Sequence, residues 1–275
     1  TLVQGTVVKF DRGEEPRLIV NVAFITEGTT DAPVILTSLG DDAHQGDTLD
    51  DGKLEKIPLT NGISVIGASS TAQISNTEIY YANFGLIVSN GASTTLASTT
   101  IANSRSGIIA SRSSLVSENL ILNDIDGLGI SGNDGALLNL ASTTIHNAIG
   151  GGISLASGSQ LIADGLVINN VGVPLSLSRS FATVTDAIFD DTTGRGIRLS
   201  KLSTLVIASS TISDTALEGI DIRDSTLRAD DITLVNNKTG ISSLNGDVTI
   251  HNSVIEGNDI VGIENDPAAL PADNP

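Results

Sequence analysis

Ser106-Gly107-Ile108-Ile109-Ala110-Ser111, Leu128-Gly129-Ile130-Ser131-Gly132-Asn133 and Gly151-Gly152-Ile153-Ser154-Leu155-Ala156 are three appearances of one phrase. Its glycine returns at Gly85, Gly107, Gly129, Gly152, Gly196, Gly219, Gly240 and Gly262, at steps of 22, 22, 23, 44, 23, 21 and 22 residues. The long step divides into two of 22, with Pro174 in the middle slot. A fixed period in this range marks a stacked repeat. The residue after the slot is always aliphatic: Leu86, Ile108, Ile130, Ile153, Leu175, Ile197, Ile220, Ile241 and Ile263. Two residues on come Val88, Ala110, Gly132, Leu155, Leu177, Leu199, Ile222 and Ser243, with mixed residues between. Apolar, mixed, apolar is the alternation of a strand with one buried face.

A second aliphatic position precedes each slot by six to eight residues, at Ile79, Ile101, Leu122, Ile145, Ile168, Ile188, Ile212, Leu234 and Ile255. Soon after it stands Asn or Asp: Asn83, Asn103, Asn123, Asn147, Asn170, Asp191, Asp214, Asn236 and Asn258. These residues tolerate left-handed backbone and suit a sharp corner. Each unit therefore reads as two or three short strands separated by corners. One unit cannot offset its own ordering entropy, roughly 1–2 kcal/mol per residue, but stacked units bury a continuous aliphatic column. Leucine-rich repeats have a similar period, but the Ser, Thr, Ile, Val and Gly content here favours strands and turns over a helix. The expectation is all-β: a right-handed, single-stranded parallel β-helix of about 22 residues per coil.

Composition agrees. Aromatic residues make up only 3% of 275, and Cys, Met and Trp are absent, as suits a narrow tube filled by Ile, Leu and Val. A net charge of −18 argues against nucleic acid and anionic membranes as partners. No stretch reads as a membrane-inserting segment. One domain is expected over 1–265, with irregular opening coils over 1–62, an acidic loop at 39–60 and regular coils over 63–265. The Pro-rich end, 266–275, reads as a linker to further domains of a parent chain.

The opening residues suggest strands at Thr6–Phe10, Leu18–Val22 and Pro33–Ser38, with turns at Asp11-Arg12-Gly13 and Glu27-Gly28-Thr29. Gly5-Thr-Val-Val-Lys-Phe10, Glu27-Gly28-Thr29, Pro33-Val-Ile-Leu-Thr-Ser38 and Ile74-Ser-Asn-Thr-Glu-Ile-Tyr-Tyr81-Ala-Asn83 resemble the opening turns of bacterial secreted and cell-surface β-helix proteins of the pectate-lyase-like superfamily. The resemblance implies an extracellular or surface location. It also implies a non-catalytic scaffold or adhesion module whose partners are glycans or other surface proteins.

Three clusters are candidates for chemistry. Asp41, Asp42, Asp47, Asp50 and Asp51, on a loop with turn-making Gly46 and Gly52, offer the oxygen donors that a structural Ca²⁺ takes in sets of 6–8. Leu49 stands where the resembled acidic loop commonly has a polar residue. Arg179, Arg195, Arg198, Lys201 and Arg223 form the one basic cluster of an acidic chain and could grip an anionic glycan. The column Arg198, Asp221, Ser242, Glu264 faces outward, with Asp221 and Glu264 two coils apart at roughly 9–10 Å. As a polysaccharide lyase or glycoside hydrolase, the chain would use Asp221, Glu264 and Arg198. Opposite charges on adjacent strands also pair structurally, and the Asn-Thr-Asp, Gly-His-Gly and Arg-x-Lys signatures of the superfamily's glycosidases are absent. The main expectation is accordingly the scaffold. His44, His146 and His251 occupy different slots of the repeat, and His44 is expected to face solvent.

Overall fold

The computed structural model describes residues 1–11, 17–50 and 60–266. Those residues contain strands and turns and no α-helix. The glycine-led strands pair in parallel into an eleven-stranded sheet that runs from Leu18–Val20 at one end to Val261–Asp266 at the other. Ile108 pairs with Leu86 on one side and Ile130 on the other, and the alignment continues through Ile153, Leu175, Ile197, Ile220, Ile241 and Ile263. From Leu86 to Ile241 these side chains are buried, while Ile263 on the last coil is half exposed. The result is a parallel β-helix whose coils lie about 4.8 Å apart.

Along most of the stack the glycine in the slot is required by its neighbour; at Gly262, on the last coil, a Cβ would meet nothing closer than 3.5 Å, and Pro174 fills its own slot with a ring. A Cβ on Gly107 would sit 2.3 Å from the carbonyl oxygen of Gly129, and one on Gly152 would sit 2.5 Å from that of Pro174. At Gly196 it would meet both the Gly219 carbonyl and Ile212 Cγ2 at 2.5 Å. Each coil's carbonyl thus passes over the bare Cα of the coil before it.

The rest of each coil forms a long strand bent in the middle, as in Ser93–Ser104, Ser114–Ile125, Leu137–Ala148 and Gln160–Val171. The bend is one left-handed residue, such as Ser98 (φ 47°), Asn119 (φ 54°) or Ser142 (φ 49°). A second left-handed column runs through Asn103, Asp124, Asn147, Asn170, Asp191, Asp214 and Asn236. A third runs through Asn90, Arg112, Asp134, Ser157, Arg179, Lys201, Asp224 and Asn245. Three such corners per coil give the tube a triangular section. Asn and Asp dominate because their short polar side chains best tolerate this backbone. Asn83, Asn123 and Asn258 do not hold the corners expected of them; Tyr81, Asp124 and Gly257 turn the chain there instead.

The bent strand supplies two inward rows that the repeat phrase does not reveal, one including Leu115, Leu161, Leu205 and Leu227 and the other Leu140 and Ile207, all buried. It also corrects one position of the second aliphatic column. Ile188 is 49% exposed, and the neighbouring Phe189 is 0% exposed. Phe189 pairs with Ile168 and Ile212, which places it in the column. It stands seven residues before Gly196, within the six-to-seven spacing of the other regular coils, whereas Ile188 stands eight before. Asn237, which opens a glycosylation-like Asn-Lys-Thr triplet, is also inside: it is 0% exposed, and its Nδ2 donates to the Ile212 carbonyl.

The opening coils follow the expected order with shorter strands, Val7–Phe10, Leu18–Val20 and Val34–Ser38, plus an unforeseen one at Ala23–Glu27. Arg12 and Gly13 of the first expected turn lie outside the described residues.

Two substitutions test this packing. Phe189→Ala should cost about 3–5 kcal/mol of unfolding free energy, while Ile188→Ala should change it by about 0.5 kcal/mol or less. Equal losses in urea melts would refute the register. Gly107→Ala should destabilise by about 1–3 kcal/mol through overpacking, with Ser106→Ala as a near-neutral control in the same melts.

Candidate functional site

The acidic loop leaves the tube after Val34–Ser38 and is organised by one carboxylate. Asp41 is fully buried. Thr37 Oγ1 donates to its Oδ2 at 2.6 Å, and the Ala43 amide donates to its Oδ1 at 3.1 Å. His44 Nδ1 lies 2.6 Å from Oδ2. Burial alone would raise the Asp41 pKa, but the hydrogen bonds from Thr37 and His44, together with the His44 charge, hold it below the ordinary value. His44 stacks on Tyr80, with ring centroids 5.1 Å apart and an interplanar angle of 19°. The Tyr80 hydroxyl donates to Glu78 Oε2 at 3.0 Å. Burial first, and then the Glu78 charge, push the phenol's pKa well above its usual range, so Tyr80 keeps its proton.

His44 is therefore not a solvated loop residue. A carboxylate only accepts, so Nδ1 carries the proton toward Asp41, and Nε2 is the acceptor whenever the ring is neutral. The arrangement joins an oriented imidazole to a protonated phenol, a proton acceptor beside a proton donor. Sequence reading passed over it because Asp41-x-x-His44 is separated from Tyr80 by the loop; Tyr80-Tyr81, the chain's only tyrosines, was the available signal.

Asp42 is half-buried, Asp47 and Asp50 are exposed, and Asp51 lies outside the described residues. Among the described residues, no three His, Asp or Glu side chains stand close enough together to hold a metal ion. Leu49, where an oxygen donor was expected, is exposed.

The outward column is aligned as expected, with Arg198 beside Asp221, Asp221 beside Ser242 and Ser242 beside Glu264. Arg198 and Glu264 are exposed, but Asp221 is only 3% exposed, against the expectation of an outward-facing carboxylate. Arg195 covers it from one side, with Nε 3.0 Å from Asp221 Oδ2 and 2.9 Å from Glu218 Oε2. Arg223 Nε lies 3.3 Å from Oδ1 on the other side. The Arg195 contacts are ion pairs by distance and not aligned hydrogen bonds. Asp221 is thus neutralised between two guanidinium groups, Arg195 standing where Arg198 was expected. Arg179 and Lys201 sit apart from it, at left-handed corners of the third column.

A groove of about 400 Å³ runs along the second corner column. Asn103, Asp124, Asn147 and Asn170 line it, with Asp126, Ile149 and Thr193 on the facing side. Its rungs are linked: Asn147 Nδ2 donates to Asp124 Oδ1 at 2.8 Å, and Asn170 Nδ2 donates to Asn147 Oδ1. Tyr81 closes one end, and its ring lies 6.2 Å from that of Tyr80. The groove therefore starts at Tyr81, next in sequence to the Tyr80 of the His44–Tyr80 pair, which does not itself line it, and ends at Thr193, two residues before Arg195.

The family described as right-handed β-helix region matches residues 58–165 and 126–267. No curated protein sequence matches the chain significantly. Among solved structures, the periplasmic alginate epimerase AlgG aligns over 97% of this chain and 76% of its own, with a TM-score of 0.62 and 13% identity. A mutant of the same epimerase gives 0.58 at 13% identity, over 97% of this chain and 78% of its own. The A-module of the Azotobacter vinelandii mannuronan C-5 epimerase AlgE6 gives 0.46 at 13% identity, over 98% and 90%. At such identity the likeness establishes shared architecture. It also corrects the expectation of a non-catalytic scaffold or adhesion module, because the aligned AlgG structures are titled as an alginate epimerase, an enzyme, and not as a scaffold. By the extent of the family match, more than half its length, the chain belongs to the right-handed β-helix family.

Proposed function

We propose that the chain acts on a polysaccharide by proton transfer, with His44 as the acceptor and Tyr80 as the neighbouring donor. The observation that carries this reading is the Asp41–His44–Tyr80 geometry, whose Tyr80 is followed in sequence by Tyr81 at one end of the lateral groove. Asp41 fixes the imidazole tautomer and stabilises the imidazolium formed when His44 takes a proton, while Tyr80 can return a proton to a sugar carbon or a leaving oxygen. Such a pair suits elimination at a uronate. Hydrolysis by two carboxylates fits less well: it calls for a separation of about 5–9.5 Å between free groups, and both Asp41 and Asp221 are tied in contacts of their own. The groove's carboxamides and the exposed Ile149 offer hydrogen bonds and an apolar patch to a glycan lying along the axis. The epimerase AlgG, which shares the fold, acts on alginate and is periplasmic by its own title, which supports a glycan partner and a place outside the cytoplasm.

Incubation with a panel of anionic and neutral polysaccharides should release unsaturated, ultraviolet-absorbing ends from at least one of them. His44→Ala should lower that rate by about 10²–10⁴-fold, and Tyr80→Phe should lower it as well with the fold intact by circular dichroism. Full activity in His44→Ala would overturn the assignment.

The Asp41 contacts also fix a pH dependence. Its pKa is depressed in the folded chain, so its contribution to stability is present above the ordinary aspartate value of 3.8 and is lost as pH falls through the lower folded value. Asp41→Asn should therefore be less stable than the wild type near neutrality, and the gap should close in melts below that range.

A further inference from the structure

Lys9 projects from the opening strand Val7–Phe10 into the acidic loop. Its ammonium donates to the Asp41 carbonyl, the Gly46 carbonyl and Thr48 Oγ1, each at 2.8 Å. An ammonium has three donors, and three oxygens from one turn of loop meet all of them.

We infer that Lys9 is the resident cation of this loop and stands in the place a structural Ca²⁺ would take. Calcium needs 6–8 oxygens converging on one point. Here the backbone oxygens converge on Nζ of Lys9, and the Asp41 carboxylate is turned away toward Thr37, Ala43 and His44. A divalent ion at the same oxygens would stand against a positive charge already hydrogen-bonded there. The loop's described residues, 39–50, therefore do not fit the metal that its string of aspartates suggests. Lys9 does the equivalent work through hydrogen bonds: it joins the loop to the first coil, and it holds by the main chain the residue whose side chain orients His44. This conclusion does not depend on the proposed enzymatic activity.

The test compares amine acylation and thermal melting on the full chain. In the native protein, Lys9 should be acylated at least about tenfold more slowly than the exposed Lys201, since freeing the amine breaks its three charge-assisted hydrogen bonds. Peptide mapping by mass spectrometry reads both sites, and the difference should vanish in denaturant. Lys9→Met, which keeps the aliphatic stem, should lower the melting temperature by about 3–6 °C. Neither EDTA nor millimolar CaCl₂ should move the wild-type melting temperature. Equal acylation of Lys9 and Lys201 would overturn the inference, as would a wild type stabilised by calcium. The acylation measurement stands even if Lys9→Met fails to fold.

Discussion

The tightest constraint in this molecule is the passage of one coil's carbonyl over the bare Cα of the coil before it. With Gly107 facing Gly129 and Gly152 facing Pro174, a side chain at either of these glycines has nowhere to go. That approach brings Ile108, Ile130 and Ile153 into vertical register, and the register in turn closes the aliphatic column. The corners answer the same demand laterally. A chain that must return every 22 residues or so to the same height needs abrupt turns, and single left-handed Asn, Asp or Ser residues supply them without lengthening the coil.

What could be read from the sequence follows from what repeats. The slot and its following aliphatic recur eight or nine times, so their alignment emerges from spacing alone. The bent strand is harder to read. Its inward residues vary between Ala, Thr, Ser, Leu and Val, as in Thr94, Leu115, Leu138 and Ala182, because each needs only to fill the space left by the others. Phe189 escaped notice because it is the one bulky ring in a column of aliphatics, next to an isoleucine that matches the column chemically but points outward. Asp221 was misjudged for a related reason. Alternation correctly gives the side of the sheet on which it lies, but not that Arg195 and Arg223 fold over that side and shut it from water.

The proposed chemistry sits where the repeat is interrupted. Asp41 and His44 belong to an excursion with no counterpart in later coils, and only folding sets them against Tyr80. Spacing arguments cannot find such a meeting, since the partners share no period. The regular coils contribute a flank of linked carboxamides, a surface that any long, hydroxyl-bearing chain could follow from coil to coil.

The triangular section has a bearing on how such a chain can change in length over time. Every coil touches only the one above and the one below, through the same slot and the same three corners. Duplication or loss of a whole turn would leave both new neighbours facing familiar partners, whereas gaining or losing one residue within a strand would turn its buried faces outward. The chain is in effect a ruler that can be lengthened only in full divisions, while the clasp at its head stays as a single copy.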